Sequence, residues 1–363
     1  MNSKPLRKIA FVVEEFSARG PAQQLLDRFL MGYPHDGEFR RLDNCRIVLA
    51  GSEIGNSDAV KSRVQDYGLS VAKAPPEAVA DADAVVAVWR GSGAQANPAL
   101  LETVLQAMPP GARCFVHGAL ANTFSAARKL VAMALARSIT LRSGTSTAVT
   151  YRLPELDLPI GSRVREALIV VQGAALDAEL DALEGLFPVL ARRRNGEAGV
   201  KDVRFLQREA LWEASRTGQW SWPLLAAALS RSNTVQGDPI KDGRTQDVAG
   251  LGLVPTLAKD PRGWLLEHRD GIRSTILVLD GVVADFNFAV HLSDGSILSA
   301  QLYRPPAPMQ DQFSRLAAVL EQFFRSGEAP WPGERSLVIA SVLEALAKPE
   351  ARTEGRIEIL LRP

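Results

Sequence analysis

The sequence has little of what marks the specialised protein classes. Cysteine is scarce: Cys45 and Cys114 are the two thiols in 363 residues, which excludes a disulfide framework and cannot make a zinc site alone. Both lie beside apolar runs and read as buried free thiols of a reducing cytoplasm. Net charge is almost absent, with 42 Lys+Arg against 41 Asp+Glu for a formal +1, so the basic excess that nucleic-acid binding requires is missing. Long apolar runs are missing too. The one after the basic start, Ile9 to Val13, is cut off by Glu14 and Glu15, and none elsewhere reaches the length of a membrane span. There is no internal repeat, no low-complexity tract and no G-x-S-x-G elbow. The expectation is a cytoplasmic protein that acts on a small molecule, with neither nucleic acid nor membrane as partner.

What is present is ordinary for a folded chain: 46% hydrophobic and 23% charged residues, with length for two domains. The first part alternates short apolar runs with amphipathic stretches. Strands are expected at Lys8 to Val13, Arg46 to Ala50, Ala84 to Val88, Arg113 to Val116 and Ser138 to Leu141. Helices are expected at Pro21 to Leu30, Asp58 to Tyr67, a stretch through Leu100 to Leu105, and Phe124 to Ala136. Continuously apolar strands separated by helices imply a doubly wound α/β domain over residues 1–150, with a parallel sheet covered on both faces. Beyond Tyr151 the strands lengthen and alternate: Val164 to Gln172, Gly199 to Leu206, Trp264 to His268, Ser274 to Leu279, Asp285 to Leu292 and Ser296 to Leu302. Hairpin-type turns such as Ser293-Asp294-Gly295 make the second domain, 151–363, α+β with an open, largely antiparallel sheet. Its helices lie at Asp177 to Arg192 and Pro223 to Ser230, and the C-terminal helices, about 312–347, are expected to pack back on the first domain.

In a doubly wound sheet ligands bind off the carboxyl ends of the strands, where the strand order reverses. Those ends carry Glu14, Ser17 and Arg19, then Ser52 and Glu53, Trp89 and Arg90, and Gly118, which are the candidate cofactor-binding groups, and His117, which is a candidate for catalysis. A Rossmann-type nicotinamide site ordinarily has a G-x-G-x-x-G turn after the first strand, so that backbone N–H groups reach the pyrophosphate. Here the turn reads Glu14-Glu15-Phe16-Ser17-Ala18-Arg19-Gly20, with one glycine and two carboxylates that repel a pyrophosphate unless they point away. Glu53 at the second strand end is placed to accept from ribose hydroxyls, which suits NAD better than NADP.

Three stretches carry a resemblance to a known family: Asp81 to Val88, Cys114 to Ala121 with the helix after it, and Phe324 to Glu334. On these the chain resembles the glucose–fructose oxidoreductase / inositol dehydrogenase (Gfo/Idh/MocA) family across almost its whole length. The resemblance implies an NAD- or NADP-dependent oxidoreductase acting on a sugar, cyclitol or related hydroxylated molecule, assembled as a dimer or tetramer through the open sheet. The family's Glu-Lys-Pro falls on His117, Gly118 and Ala119, so the lysine that contacts nicotinamide and substrate is missing. Its Asp and, four residues on, His fall on Asp177 and Asp181, which share one helix face. Hydride transfer to or from an alcohol needs a group that moves the hydroxyl proton. The candidates are His117, Asp177 and Asp181. The same departures leave two alternatives: a non-redox isomerase or lyase without cofactor, and a catalytically inactive binding or partner subunit.

Further polar groups lie in the second domain. Arg152, Arg231, Arg244 and Asp247 are candidates for contacts to a hydroxylated or acidic ligand. Alternation places Asp285, Asn287 and His291 on one strand face, away from Phe286 and Phe288. No ligand spacing supports a metal.

Overall fold

The computed structural model describes residues 6–51, 54, 57–91, 93–235, 247–353 and 355–359. The chain forms two compact units, residues 1–149 with 305–340 and residues 150–304 with 341–363.

The first unit is built on strands β1 (Lys8–Val13), β4 (Arg46–Gly51), β5 (Ser70–Val71), β6 (Ala84–Val88), β7 (Arg113–His117) and β8 (Thr140–Gly144), with a small hairpin of β2 (Tyr33–His35) and β3 (Glu38–Arg40). The six strands lie in the order β5-β4-β1-β6-β7-β8, all parallel. Their apolar runs are continuous because both faces are covered. Ile9, Phe11 and Val13 join Phe29 of helix α1 (Pro21–Met31) and Phe323 and Phe324 of α10 (Gln312–Ser326) on one side. Ala10 and Val12 face the other side, with α3 (Pro75–Val79), α4 (Pro98–Ala107) and α5 (Phe124–Ala136). Helix α2 (Asp58–Tyr67) is tied to α1 by Arg63, which donates to both oxygens of Asp27 at 2.6 and 2.5 Å. The acidic stretch before β6 works at the amino ends of the strands. Asp83 accepts from the backbone N–H of Arg7 at 2.8 Å, and Asp81 pairs with Lys8. Strand β8 starts later than the expected Ser138, because Ser138 adopts φ 56° and belongs to the turn closing α5.

The second unit holds β9 (Tyr151–Leu153), β10 (Val164–Val171), β11 (Val200–Gln207), β12 (Lys259–His268), β13 (Arg273–Asp280), β14 (Phe286–Leu292), β15 (Ile297–Tyr303) and β16 (Arg356–Glu358). They form one sheet in the order β16-β11-β12-β13-β10-β14-β15-β9, antiparallel at every pair except β10 with β13. Helices α7 (Arg208–Arg216) and α8 (Trp222–Leu229) bury one face against Leu168, Val170, Leu277 and Ala289, with Trp212 and Trp220 between them. Along the other face lies α6 (Asp177–Leu190), whose Phe187 ring packs 5.8 Å from His268. A short α9 (Val254–Leu257) precedes β12, and α11 (Glu334–Ala347) gives Leu337 and Ala340 to the core of the first unit. Strand β12 begins well before the expected Trp264. Its first residues include Pro261 within a register shift against β13, an irregularity that tolerates a proline with no N–H to donate. Among the described residues no helix is long and apolar enough to cross a membrane.

Candidate functional site

The strand order of the first unit reverses at β1, which has β4 on one side and β6 on the other. The loops leaving β1 and β6 therefore part over a crevice at their carboxyl ends, where ligands of open α/β sheets bind. Both carboxylates of the β1 loop turn toward the β6 loop. Glu14 accepts from the backbone N–H of Arg90 at 3.1 Å and from Asn97 Nδ2 at 2.7 Å, and Asn97 in turn caps α4 by accepting from Leu100 N–H at 3.0 Å. Glu15 stands 3.9 Å from the Arg90 guanidinium. Phe16 plugs the loop into the core beneath the Arg63 guanidinium, 5.5 Å from its ring centre. What the loop leaves outward is Ser17 and Arg19. The backbone N–H of Arg19 is held by Gln23 Oε1 at 2.6 Å, and its carbonyl accepts from Gln310 Nε2 at 3.2 Å. Helix α1 then starts at Gly20-Pro21 without a side-chain cap. A Cβ at Gly20 would lie 2.4 Å from Ser17 Oγ, so a side chain there would turn the Ser17 hydroxyl aside.

A dinucleotide pyrophosphate needs donors at this helix end and no facing negative charge. The donor set fits: an uncapped first turn, the Ser17 hydroxyl and the Arg19 guanidinium, with Glu14 and Glu15 both engaged by the β6 loop. It fits with fewer main-chain donors than a glycine-rich turn, because Pro21 has no N–H.

The β6 and β7 ends are closely packed. Trp89 is buried and donates its indole N–H to the Ala119 carbonyl at 2.8 Å, so it ties two strand ends together and is turned away from any ligand. Gly118 sits at φ 121° with its backbone against Gly93, and Ala119 N–H donates to the Gly93 carbonyl at 2.9 Å. A Cβ at Gly118 would stand 2.6 Å from that oxygen and 2.7 Å from Gly93 Cα. Gly118, the position that the resemblance pairs with a lysine, therefore has no room for a side chain. His117 ends β7, 2% exposed, with its ring 5.8 Å from Phe313 of α10. Ser52 and Glu53 lie outside the described residues.

In the second unit Asp177 opens α6, partly exposed, and Asp181 follows one turn later, buried. Asp181 is not left against its neighbouring carboxylate. Its Oδ2 accepts from Arg304 Nη1 at 2.8 Å, and the Arg304 guanidinium lies 4.3 Å over the Phe286 ring. Sequence reasoning missed Arg304. Its signal was a lone arginine closing an alternating strand just before Pro305-Pro306. Glu179, on the same helix and fully buried, accepts from Arg262 Nε and Trp264 Nε1, both at 3.1 Å.

Of the second-unit candidates, Arg231 donates to Ser299 Oγ at 2.9 Å and stands at the rim of a polar cluster centred on Asp285. Asp285 accepts from Ser232 Oγ at 2.9 Å, Asn233 N–H at 2.7 Å, Asn287 Nδ2 at 2.5 Å and Gln301 Nε2 at 2.8 Å, which latches the segment after α8 onto β14 and β15. Arg152 is taken up by Asp157 and the Leu156 carbonyl, and Asp247 by the Gly250 N–H at 2.8 Å in a turn, so both hold local structure. Arg244 lies outside the described residues.

No family model matches the sequence, and no curated protein matches it. Solved structures do share its fold. The myo-inositol dehydrogenase from Lactobacillus casei, in complex with NAD(H) and myo-inositol, is 15% identical over 99% of this chain and 98% of its own, with a TM-score of 0.60. GenD2 from gentamicin A biosynthesis, in complex with NAD, is 14% identical over 99% of both chains, with a TM-score of 0.61. The biliverdin reductase from Synechocystis sp. PCC 6803, in complex with biliverdin and NADP+, is 14% identical over 95% of this chain and 98% of its own, with a TM-score of 0.54. At these identities the likeness is one of fold: a parallel dinucleotide-type sheet joined to a largely antiparallel one.

Proposed function

We propose that the chain is a divergent oxidoreductase of the Gfo/Idh/MocA type, using NAD or NADP on a sugar, cyclitol or related hydroxylated small molecule. The observation that carries this reading is the turning of Glu14 and Glu15 onto the β6 loop, which frees the end of α1 for an anion at the point where strand order reverses. Ser17 and Arg19 are the side chains assigned to the phosphates, and Arg90 lies at the rim beside them. The bound nicotinamide supplies the acceptor or donor of hydride. The chain's own task is to orient the hydroxylated carbon and move its proton. Gly118 supplies no side chain; the candidates for proton handling are His117 within the first unit and, taken separately, Asp177 and Asp181 within the second. Asp177, partly exposed in the first turn of α6, is the most accessible of the three. Like the family, the chain is proposed to assemble through its open sheet.

One observation favours a second reading. The contact of Gly118 with Gly93 and the Asp181–Arg304 pair occupy the two positions where the family has Lys and His. That arrangement suits binding, or proton transfer without hydride transfer. Isothermal titration with NAD+, NADH, NADP+ and NADPH separates the readings. Saturable binding of one of them, weakened at least about tenfold by Arg19→Ala with Ser17→Ala, supports the oxidoreductase. No heat with any of the four at millimolar concentration overturns it.

A further inference from the structure

Resting on the reading of α6 as the substrate-facing helix, we propose that Arg304 receives a carboxylate of the substrate, so that the substrate is a sugar acid or another hydroxylated carboxylic acid and not a neutral polyol. Arg304 follows directly on β15 and is held in two directions. Asp181 fixes one terminal nitrogen at 2.8 Å, and the Phe286 ring supports the guanidinium plane from 4.3 Å. Among the described residues the bond to Asp181 is the guanidinium's one hydrogen bond, and the side chain keeps 26% of its surface exposed. Among the described residues no group accepts from the Nε–Nη2 edge. That edge carries two parallel N–H groups at the spacing of carboxylate oxygens, the geometry in which arginine binds a carboxylate bidentately. Because Asp181 and Phe286 have already fixed the rotamer, a ligand gains both hydrogen bonds with little further side-chain entropy to lose. An ion pair that served only to neutralise buried Asp181 would need neither the planar fork nor the aromatic support. Asp177, one turn earlier on the same helix face, is placed to accept from a hydroxyl of the same ligand.

The test uses the full chain, with D-gluconate and D-glucuronate as acidic probes and myo-inositol and D-glucose as neutral ones, read by thermal unfolding and titration. At least one acid is expected to bind saturably, with a Kd at least about tenfold below that of either neutral compound. Arg304→Lys keeps a cation for Asp181 and loses the fork, so it should weaken the acid about tenfold or more while the ligand-free melting temperature barely moves. Arg304→Gln should lose the acid altogether. Failure of both acids to bind, equal binding of the neutral probes, or unchanged affinity in Arg304→Lys each overturns the proposal. A parallel titration with NAD+ and NADP+ keeps the two readings apart. Dinucleotide binding without acid binding sinks the Arg304 assignment alone, whereas acid binding without any dinucleotide sinks the oxidoreductase and leaves the anion site standing.

Discussion

Placing a lysine at Gly118, where the proposed reading would expect one, should fail, and the reason can be put in numbers. The residue sits at φ 121°, a region that side-chain-bearing residues rarely adopt, and the atoms its Cβ would meet are backbone: Gly93 O at 2.6 Å, Gly93 Cα at 2.7 Å and Gly93 C at 3.0 Å. Backbone cannot swing aside as a flexible side chain can. The Gly93 loop is itself tied down by its carbonyl on Ala119 N–H at 2.9 Å and its N–H on the Arg90 carbonyl at 3.2 Å. Strained backbone of this kind costs about 1–3 kcal/mol, and displacing Gly93 forfeits a hydrogen bond worth about 1 kcal/mol, so Gly118→Ala should cost about 2–4 kcal/mol. For a unit of this size that is a fall of roughly 5–15 °C in melting temperature. Gly118→Lys should lose at least as much and gain no turnover. Gly111→Ala is the control: φ is 79° but nothing stands within 4 Å of its Cβ, so it carries the torsional cost alone and should melt closer to the parent. Differential scanning calorimetry of the three variants decides the matter. A Gly118→Ala protein as stable as Gly111→Ala would refute the packing argument, and a Gly118→Lys protein that is stable and newly active would refute the assignment of this position as closed.

Three further outcomes follow from particular contacts. Glu14→Ala removes the acceptor shared by Arg90 N–H and Asn97, and urea unfolding should show a loss of about 1–2 kcal/mol that Glu14→Gln partly restores. Burial, reinforced by the Arg193 charge, pushes the His268 imidazole down to about 3. The unfolded chain then binds a proton below about pH 6.5 that the folded chain does not, so stability falls as pH drops from 6.5 toward 3 by up to about 1.4 kcal/mol per unit. Unfolding curves at pH 7, 6, 5 and 4 should lose that component of slope in His268→Gln, and an unchanged slope would count against a neutral buried imidazole. Arg193 pairs with Asp270 at 2.7 Å with both side chains buried, so Arg193→Ala strands a carboxylate and should cost about 3–5 kcal/mol by chemical denaturation. A loss below about 1 kcal/mol would mean that water reaches Asp270.

The parallel sheet was legible because strands buried on both faces must be apolar at every position. Ala84 to Val88 and Phe124 to Ala136 match the structure residue for residue. Short elements held by tertiary contacts left weaker traces: the hairpin of β2 and β3, the two-residue β5, and α7, whose Leu211 and Trp212 bury on α8 and the sheet although four of its nine residues are charged. At the site, sequence placed the strand ends and flagged two carboxylates at the phosphate turn, but the direction of Glu14 depends on Asn97, more than eighty residues away, and that of Glu15 on Arg90. The closure of Gly118 depends likewise on Gly93, and the partner of Asp181 on Arg304. Such pairings are set by topology, and no local pattern carries them.

In the proposed function, the crevice at the reversal of strand order holds a nicotinamide dinucleotide without a glycine-rich turn. Thermal unfolding of the full chain with NAD+, NADH, NADP+ and NADPH tests it most directly. One of the four should raise the melting temperature in a saturable way, approaching the equivalent of about 2.7 kcal/mol at a hundredfold excess over Kd. No shift with any of them at millimolar concentration would contradict it and leave the fold serving another chemistry.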